Sequence, residues 1–278
     1  MMDLKLTDIL NMPQKEKQDY FEQLFLNKKI GLSSLFSRGD DLSLLPTFIH
    51  RQSGLEFSYI PGGDFEMGFS EKEELAAKHI CDPIQANLDE MRPVTNVKVQ
   101  SFLISRYPVL NCIANQILHS DNQEPDNDKF LYSPAYLSRE QAEELAEKLG
   151  CHLPYEKEWE YACRSETQTL FVFGDSLPEE KELERWLSLD FSETAKLAAN
   201  PFGLYGMFVG EWCMDKYRLS YDKFAQTEDG SYVIRGGGSL FWPWQDQEWV
   251  WCMSAMRMPS TDLIDNTCGL RLVFDLNF

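Results

Sequence analysis

Apolar and polar positions over the first fifty residues fall into two short runs of near-helical spacing. Leu6, Ile9, Leu10 and Met12 form the first, and Phe21, Leu24 and Phe25 the second, with Pro13 breaking the helix between them. A polar stretch, Ser37-Arg38-Gly39-Asp40-Asp41, precedes Leu42 to His50, and the pattern changes near Arg51. The expected organisation is a helical N-terminal appendage over residues 1–50, docked on a single larger domain over residues 51–278.

Beyond Arg51 the periods shorten. Leu55-Glu56-Phe57-Ser58-Tyr59-Ile60 alternates, Pro61-Gly62-Gly63-Asp64 turns, and Phe65-Glu66-Met67 resumes, which predicts strand, turn, strand. Lys98 to Ile104 reads as one further strand, and the charged segment Ser70 to Ala86 as an exposed helix or loop. The strongest helix signal begins at Ser138. Ser138-Arg139-Glu140-Gln141 has the form of a capping box, Ala142, Leu145, Ala146 and Leu149 share a face, and Gly150 supplies a left-handed stop. A second helix follows Leu153-Pro154, with Glu156 and Glu158 near its positive end and Trp159 and Ala162 facing inward. From Asn200 onward the chain reads as glycine-punctuated strand and loop, so the fold class is α+β.

With 43% apolar residues in a chain of 278, a sizeable core is available. Forty-five acidic residues against 26 basic ones give a net charge of −19, which repels phosphate backbones and anionic lipid heads. Nucleic acid and membranes are therefore not the expected partners; a protein or peptide is. The first residues, Met1 to Leu6, lack the basic and apolar stretches of a secretory signal. Seven scattered cysteines without a C-x-x-C pair point to buried thiols in a reducing compartment, and the expected location is cytoplasmic. The four histidines show no metal-binding spacing. His79-Ile80-Cys81-Asp82 is a compact set of potential ligands in a segment that otherwise reads as solvated loop.

Several motifs stand in one collinear order. They are Ile60-Pro61-Gly62-Gly63-Asp64-Phe65-Glu66-Met67-Gly68, Arg92-Pro93-Val94, Leu153-Pro154-Tyr155-Glu156-Lys157-Glu158-Trp159-Glu160-Tyr161-Ala162-Cys163-Arg164, Asn200-Pro201-Phe202-Gly203, Gly210-Glu211-Trp212, Arg235-Gly236-Gly237-Gly238-Ser239 and Cys268-Gly269-Leu270-Arg271. Together they resemble the formylglycine-generating enzyme, or sulfatase-modifying factor, family over roughly residues 56 to 275. The resemblance implies that family's variant of the C-type-lectin-like fold, with few short strands and much ordered loop. Arg-Gly-Gly-Gly suits a close backbone approach, and Arg235, Arg257 and Arg271 are expected to pair with carboxylates such as Glu158, Glu160 or Glu211.

The resemblance also implies oxidation of a substrate cysteine by oxygen, with two active-site thiolates holding copper(I), a soft ion suited to sulfur. Counted back eight and thirteen residues from Arg257, the thiol positions hold Trp249 and Trp244; counted from Ser239 they hold Gln247 and Trp242. Cys252 and Cys213 remain as the candidate thiols for a metal or redox role. The family's calcium-binding run is shortened to Gly206-Met207-Phe208-Val209-Gly210 and lacks its asparagine. No cofactor is expected, with calcium and copper as the alternatives to test.

Between Ser239 and Cys252 lie four of the seven tryptophans, Trp242, Trp244, Trp249 and Trp251. Such a surface, with Asp246 and Glu248, would take a cationic or peptide group by stacking and cation–π contact; the competing reading is that the tryptophans fill the core. The expected function is a binding or accessory module that has lost cysteine oxidase chemistry, with Trp242, Trp244, Asp246, Glu248, Trp249 and Arg257 as its contact surface. The alternative is a metal-dependent oxidase or oxygenase with altered ligands.

Overall fold

Pro13 separates Leu6–Asn11 (α1) from Gln14–Leu26 (α2), and Leu32–Leu35 forms a third short helix, α3. The computed structural model describes residues 4–39, 45–118, 131–177, 179, 199–237, 247–260 and 268–276. Ile9, Phe21 and Leu24 are buried in the main core, where the Phe21 ring meets the edge of Tyr59 at 5.0 Å.

The principal sheet runs across position 51. Its five strands are Phe36–Arg38 (β1), Thr47–His50 (β2), Glu56–Ile60 (β3), Phe102–Ser105 (β6) and Val273–Asp275 (β10), in the order β1-β2-β3-β6-β10 and antiparallel throughout. Two of these strands come from the first fifty residues, so that stretch adds sheet edge as well as helix. Phe57, Ser58, Tyr59 and Ile60 are all buried, because helices and loops cover both faces of β3 where the sequence alternation predicts one wet face.

Gly63–Met67 (β4) and Thr95–Val99 (β5) form a separate two-stranded ribbon. The single strand expected over Lys98 to Ile104 is therefore two strands in two sheets. The chain changes sheet at Ser101, whose Oγ accepts bonds from Gly62 N–H at 2.8 Å and Tyr59 O–H at 3.0 Å. Between the ribbon strands, Glu71–Ile80 (α4) is capped by Ser70. It is not wholly exposed as expected. Glu73 and Ala77 are fully buried, because Glu73 reaches Arg164 at 2.9 Å.

Asn111–Leu118 (α5) packs beside Arg139–Lys148 (α6). At the start of α6 the Gln141 amide donates to Ser138 Oγ at 3.2 Å, and Ser138 N–H donates to Gln141 Oε1 at 3.1 Å. Gly150 then takes φ +63°, as the stop signal requires. Glu156–Arg164 (α7) buries most of its surface, with Trp159 and Ala162 inaccessible to solvent. Asn200 ties the following turn to this helix: its Nδ2 donates to Ala162 O at 2.8 Å, and its Oδ1 accepts from the amides of Phe202 and Leu204.

Glu211–Arg218 (β7), Thr227–Arg235 (β8) and Arg257–Ser260 (β9) make a third sheet. A Cβ at Gly236, which has φ +83°, would run into the Val209 carbonyl and the Trp159 ring, so the close approach expected of Arg-Gly-Gly-Gly is present. Among the described residues, no helix is long and apolar enough to cross a membrane.

Candidate functional site

Helix α7 carries Glu156, Glu158 and Glu160 at alternate positions. Residues four apart on a helix share a face and residues two apart do not, so Glu156 and Glu160 point inward together while Glu158 points elsewhere. On the inner face Arg235 donates to Glu156 Oε1 at 3.0 Å, Glu160 Oε2 at 2.6 Å and the Ser254 carbonyl at 2.8 Å. Arg257 grips Glu156 with two parallel bonds of 2.7 and 3.0 Å, and Arg164 joins Glu160 to Glu73, each at 2.9 Å. Tyr221 completes the cluster by donating to Glu156 Oε1 at 2.9 Å. Burial by itself would raise the pKa of Glu160, but Arg235 and Arg164 hold it below the usual carboxylate value.

Arg271 forms a second buried pair with Glu211 at 3.0 Å, and Trp159 Nε1 donates to the same carboxylate oxygen at 2.7 Å. Glu160 and Glu211 are thus arginine partners, as expected, and Glu158 is not. Glu73, Glu156 and Tyr221 were not foreseen, although the Glu156/Glu160 spacing was a readable signal for one face of paired acids. Arg257 is 2% exposed, and its guanidinium is taken up by Glu156 and by the carbonyls of Glu90 and Arg218. It is a structural pin, which corrects its assignment to the contact surface.

Of the other expected contact residues, Trp242, Trp244 and Asp246 lie outside the described residues. Glu248 and Trp249 begin a 3₁₀ turn over Glu248–Cys252. Trp249 is half-buried and meets Phe171 edge-on at 6.1 Å, while Phe171 stacks on Phe173 at 4.9 Å. Gln247 anchors the turn: its Oε1 accepts from Gln85 N–H at 2.9 Å, and its Nε2 donates to the Pro83 carbonyl at 2.8 Å. Trp249 and Trp251 pack against a second apolar cluster containing Cys252 and Met253, separate from the main core that holds Cys213.

The donor sets do not suit the metals that the resemblance implies. Tryptophan at 249 offers no soft donor, and burial pushes the Cys213 thiol well above its ordinary value, away from the thiolate that copper(I) requires. Met207, Phe208 and Val209 are buried apolar residues, and of the Glu211 carboxylate behind them Oε2 is taken by Arg271 and Trp159, leaving Oε1 alone, too few side-chain oxygen donors for calcium. Within the His79 to Asp82 segment, Cys81 Sγ lies 3.1 Å from Gln247 Nε2, which ties the segment to the 3₁₀ turn.

The outer face of α7 looks different. Glu158 caps the helix by accepting the Tyr155 amide at 2.8 Å, and burial pushes its pKa up to about 7. Nearby, His152 Nε2 lies 3.3 Å from Asp275 Oδ1, poorly aligned for a hydrogen bond yet close enough for an ion pair. Burial acts to lower the His152 pKa, but Asp275, the Leu153 carbonyl and Glu158 together raise it, and His152 in turn lowers Asp275.

This α+β arrangement is that of solved proteins of formylglycine-generating-enzyme type. It superposes on PvdO from Pseudomonas aeruginosa with a TM-score of 0.60 at 19% identity, covering 82% of this chain and 97% of that one. Treponema denticola variable protein 1 gives a TM-score of 0.53 at 15% identity, covering 86% and 99%. At these identities the likeness concerns the fold. Residues 46–276 match the sulfatase-modifying factor enzyme 1-like domain, and the chain belongs to that family. No curated protein matches the sequence.

Proposed function

We propose that this protein is a binding or accessory member of its family, acting on a protein or peptide partner without cysteine oxidase chemistry. The observation that carries this reading is the state of the thiols. Burial pushes the candidate thiol Cys213 well above its ordinary value, and the other candidate, Cys252, lies in a separate apolar cluster, whereas the family's chemistry needs two thiolates together. At position 249, where one thiol of the pair would fall, an indole packs on Phe171. The partner surface in this reading is Trp242, Trp244, Asp246, Glu248 and Trp249. Aromatic faces beside carboxylates, on a protein of net charge −19, favour lysine- or arginine-bearing peptides.

The test uses a panel of synthetic Lys/Arg-containing peptides read by tryptophan fluorescence. Trp242→Ala and Trp244→Ala are expected to weaken peptide binding about tenfold, the equivalent of ~1.4 kcal/mol, with little change in Tm. A large fall in Tm would assign these tryptophans to the core. Copper or iron bound at one equivalent, together with oxygen uptake on thiol peptides, would instead establish the oxidase reading.

A further inference from the structure

The outer face of α7 borders a cavity of about 330 Å³. Three elements meet there: the end of β5 with its turn into β6 brings Lys98, the first turn of α7 brings Lys157 and Glu158, and the end of β10 brings Asp275. The volume falls at the lower end of the range for small-molecule sites, where a few converging polar groups set the choice of ligand.

These polar groups are incompletely used. Neither Lys98 nor Lys157 forms an ion pair among the described residues; the Lys157 ammonium lies 5.9 Å from the centre of the Tyr155 ring. Glu158 uses Oε2 for the Tyr155 amide, and its Oε1 makes no hydrogen bond among the described residues. Asp275 has His152 behind it at 3.3 Å, and Lys157 acts on it at longer range. The cavity therefore presents two ammonium groups and two carboxyl groups that form no ion pair with one another among the described residues, although Lys157 is near enough to lower the pKa of both Glu158 and Asp275. This contrasts with the inner face of the same helix, where each carboxylate is met by guanidinium.

We propose that this cavity is a binding site for a small zwitterion of dipeptide size, its carboxylate held by Lys98 and Lys157 and its ammonium by Glu158 and Asp275. A simple anion would face Asp275, and a simple cation would face both lysines. Only a ligand with both charges meets all four groups, and in a protein of net charge −19 a paired set of free lysines is what admits the carboxylate end. The site shares no residue with the tryptophan segment, so it stands or falls independently of the proposed peptide surface.

The groups facing the ligand ammonium also set a pH dependence. Glu158, with its pKa pushed up to about 7 by burial, gives up its proton as pH rises from 6 to 7.5. His152, behind Asp275, loses its proton in the same direction and leaves Asp275 more negative to the ligand. Affinity for the zwitterion therefore increases with pH.

Calorimetric and NMR titration of the full chain with L-alanyl-L-alanine tests the proposal. N-acetyl-alanyl-alanine, which lacks the ammonium, and alanyl-alanine amide, which lacks the carboxylate, serve as controls. Each blocked dipeptide is expected to bind at least tenfold more weakly than the free one. Lys98→Met and Lys157→Met are exposed changes expected to weaken the free dipeptide at least fivefold while leaving the amide unaffected. Glu158→Gln keeps a capping side chain and is expected to flatten the pH profile. No binding of the free dipeptide at 10 mM, equal binding of the blocked forms, or an unaltered pH profile in Glu158→Gln would overturn the proposal.

Discussion

The two faces of helix α7 bury the same residue type to different ends. On the inner face Glu156 and Glu160 meet Arg235, Arg257 and Arg164, and every carboxylate oxygen has a charged donor within about 3 Å. On the outer face Glu158 is buried to a similar depth but has only a backbone amide in hydrogen-bond contact, with His152 and Lys157 acting at longer range. Glu160 is consequently held below its ordinary pKa and Glu158 rises to about 7. Burial by itself raises a carboxyl pKa, and at Glu160 two guanidinium groups reverse the sign; at Glu211 the single guanidinium of Arg271 does not, and burial still pushes it up to about 7. The inner face is saturated and structural, whereas the outer face keeps unspent hydrogen-bonding capacity beside a cavity. That difference makes the outer face the place to look for a ligand.

The comparison is broken most severely by Arg235→Met, which leaves Glu156 to Arg257 and Glu160 to Arg164 and takes one positive charge from a buried cluster of three arginines and three glutamates. A loss of about 3–5 kcal/mol is expected in urea unfolding, because removal of one partner leaves an uncompensated buried charge. A loss below about 1 kcal/mol would show that the inner face is not held by its ion pairs.

Glu158→Gln has the opposite effect and a pH signature. Folded Glu158 takes up its proton near 7, against an ordinary value of 4.5, so between these values the folded protein holds a proton that the unfolded chain has released. Its contribution is present below about pH 4.5 and lost as pH rises through 7. The variant is therefore expected to be about 1–3 kcal/mol more stable than the wild type at pH 8 and nearly equal to it at pH 4.5. Paired urea melts at the two pH values check this.

The smallest effect sharpens the contrast within the outer face. The positive charge of His152 holds Glu158 down, so His152→Gln is expected to move the Glu158 midpoint upward from about 7, read by NMR titration of its carboxyl carbon. An unmoved midpoint would separate the two groups electrically.

Much of this scaffold was legible in the chain. Ser138, Gln141 and Gly150 marked both ends of α6 because caps act within a few residues of backbone. Arg235 and Arg271 announced buried ion pairs by standing in apolar stretches of sequence, since an unpaired buried guanidinium is too costly to retain. Less was legible where neighbours come from afar. Lys98 to Ile104 has the pattern of one strand, and its split between two sheets depends on bonds to Ser101 from Tyr59 and Gly62. Arg257 looked available for a partner until Glu156, 101 residues earlier in sequence, closed on it.

The sequence by itself determined the family, the helix ends, the acidic charge and the tryptophans standing where the resemblance implies thiols, because each is a property of local order or composition. Tertiary structure decided which glutamate of α7 would be matched by arginine and which would face a cavity. It also decided that β1 and β2 would extend the main sheet. Those outcomes rest on charges and strands brought together from segments far apart in the chain, and a carboxylate's proton affinity is set by what stands within a few ångströms of it in space.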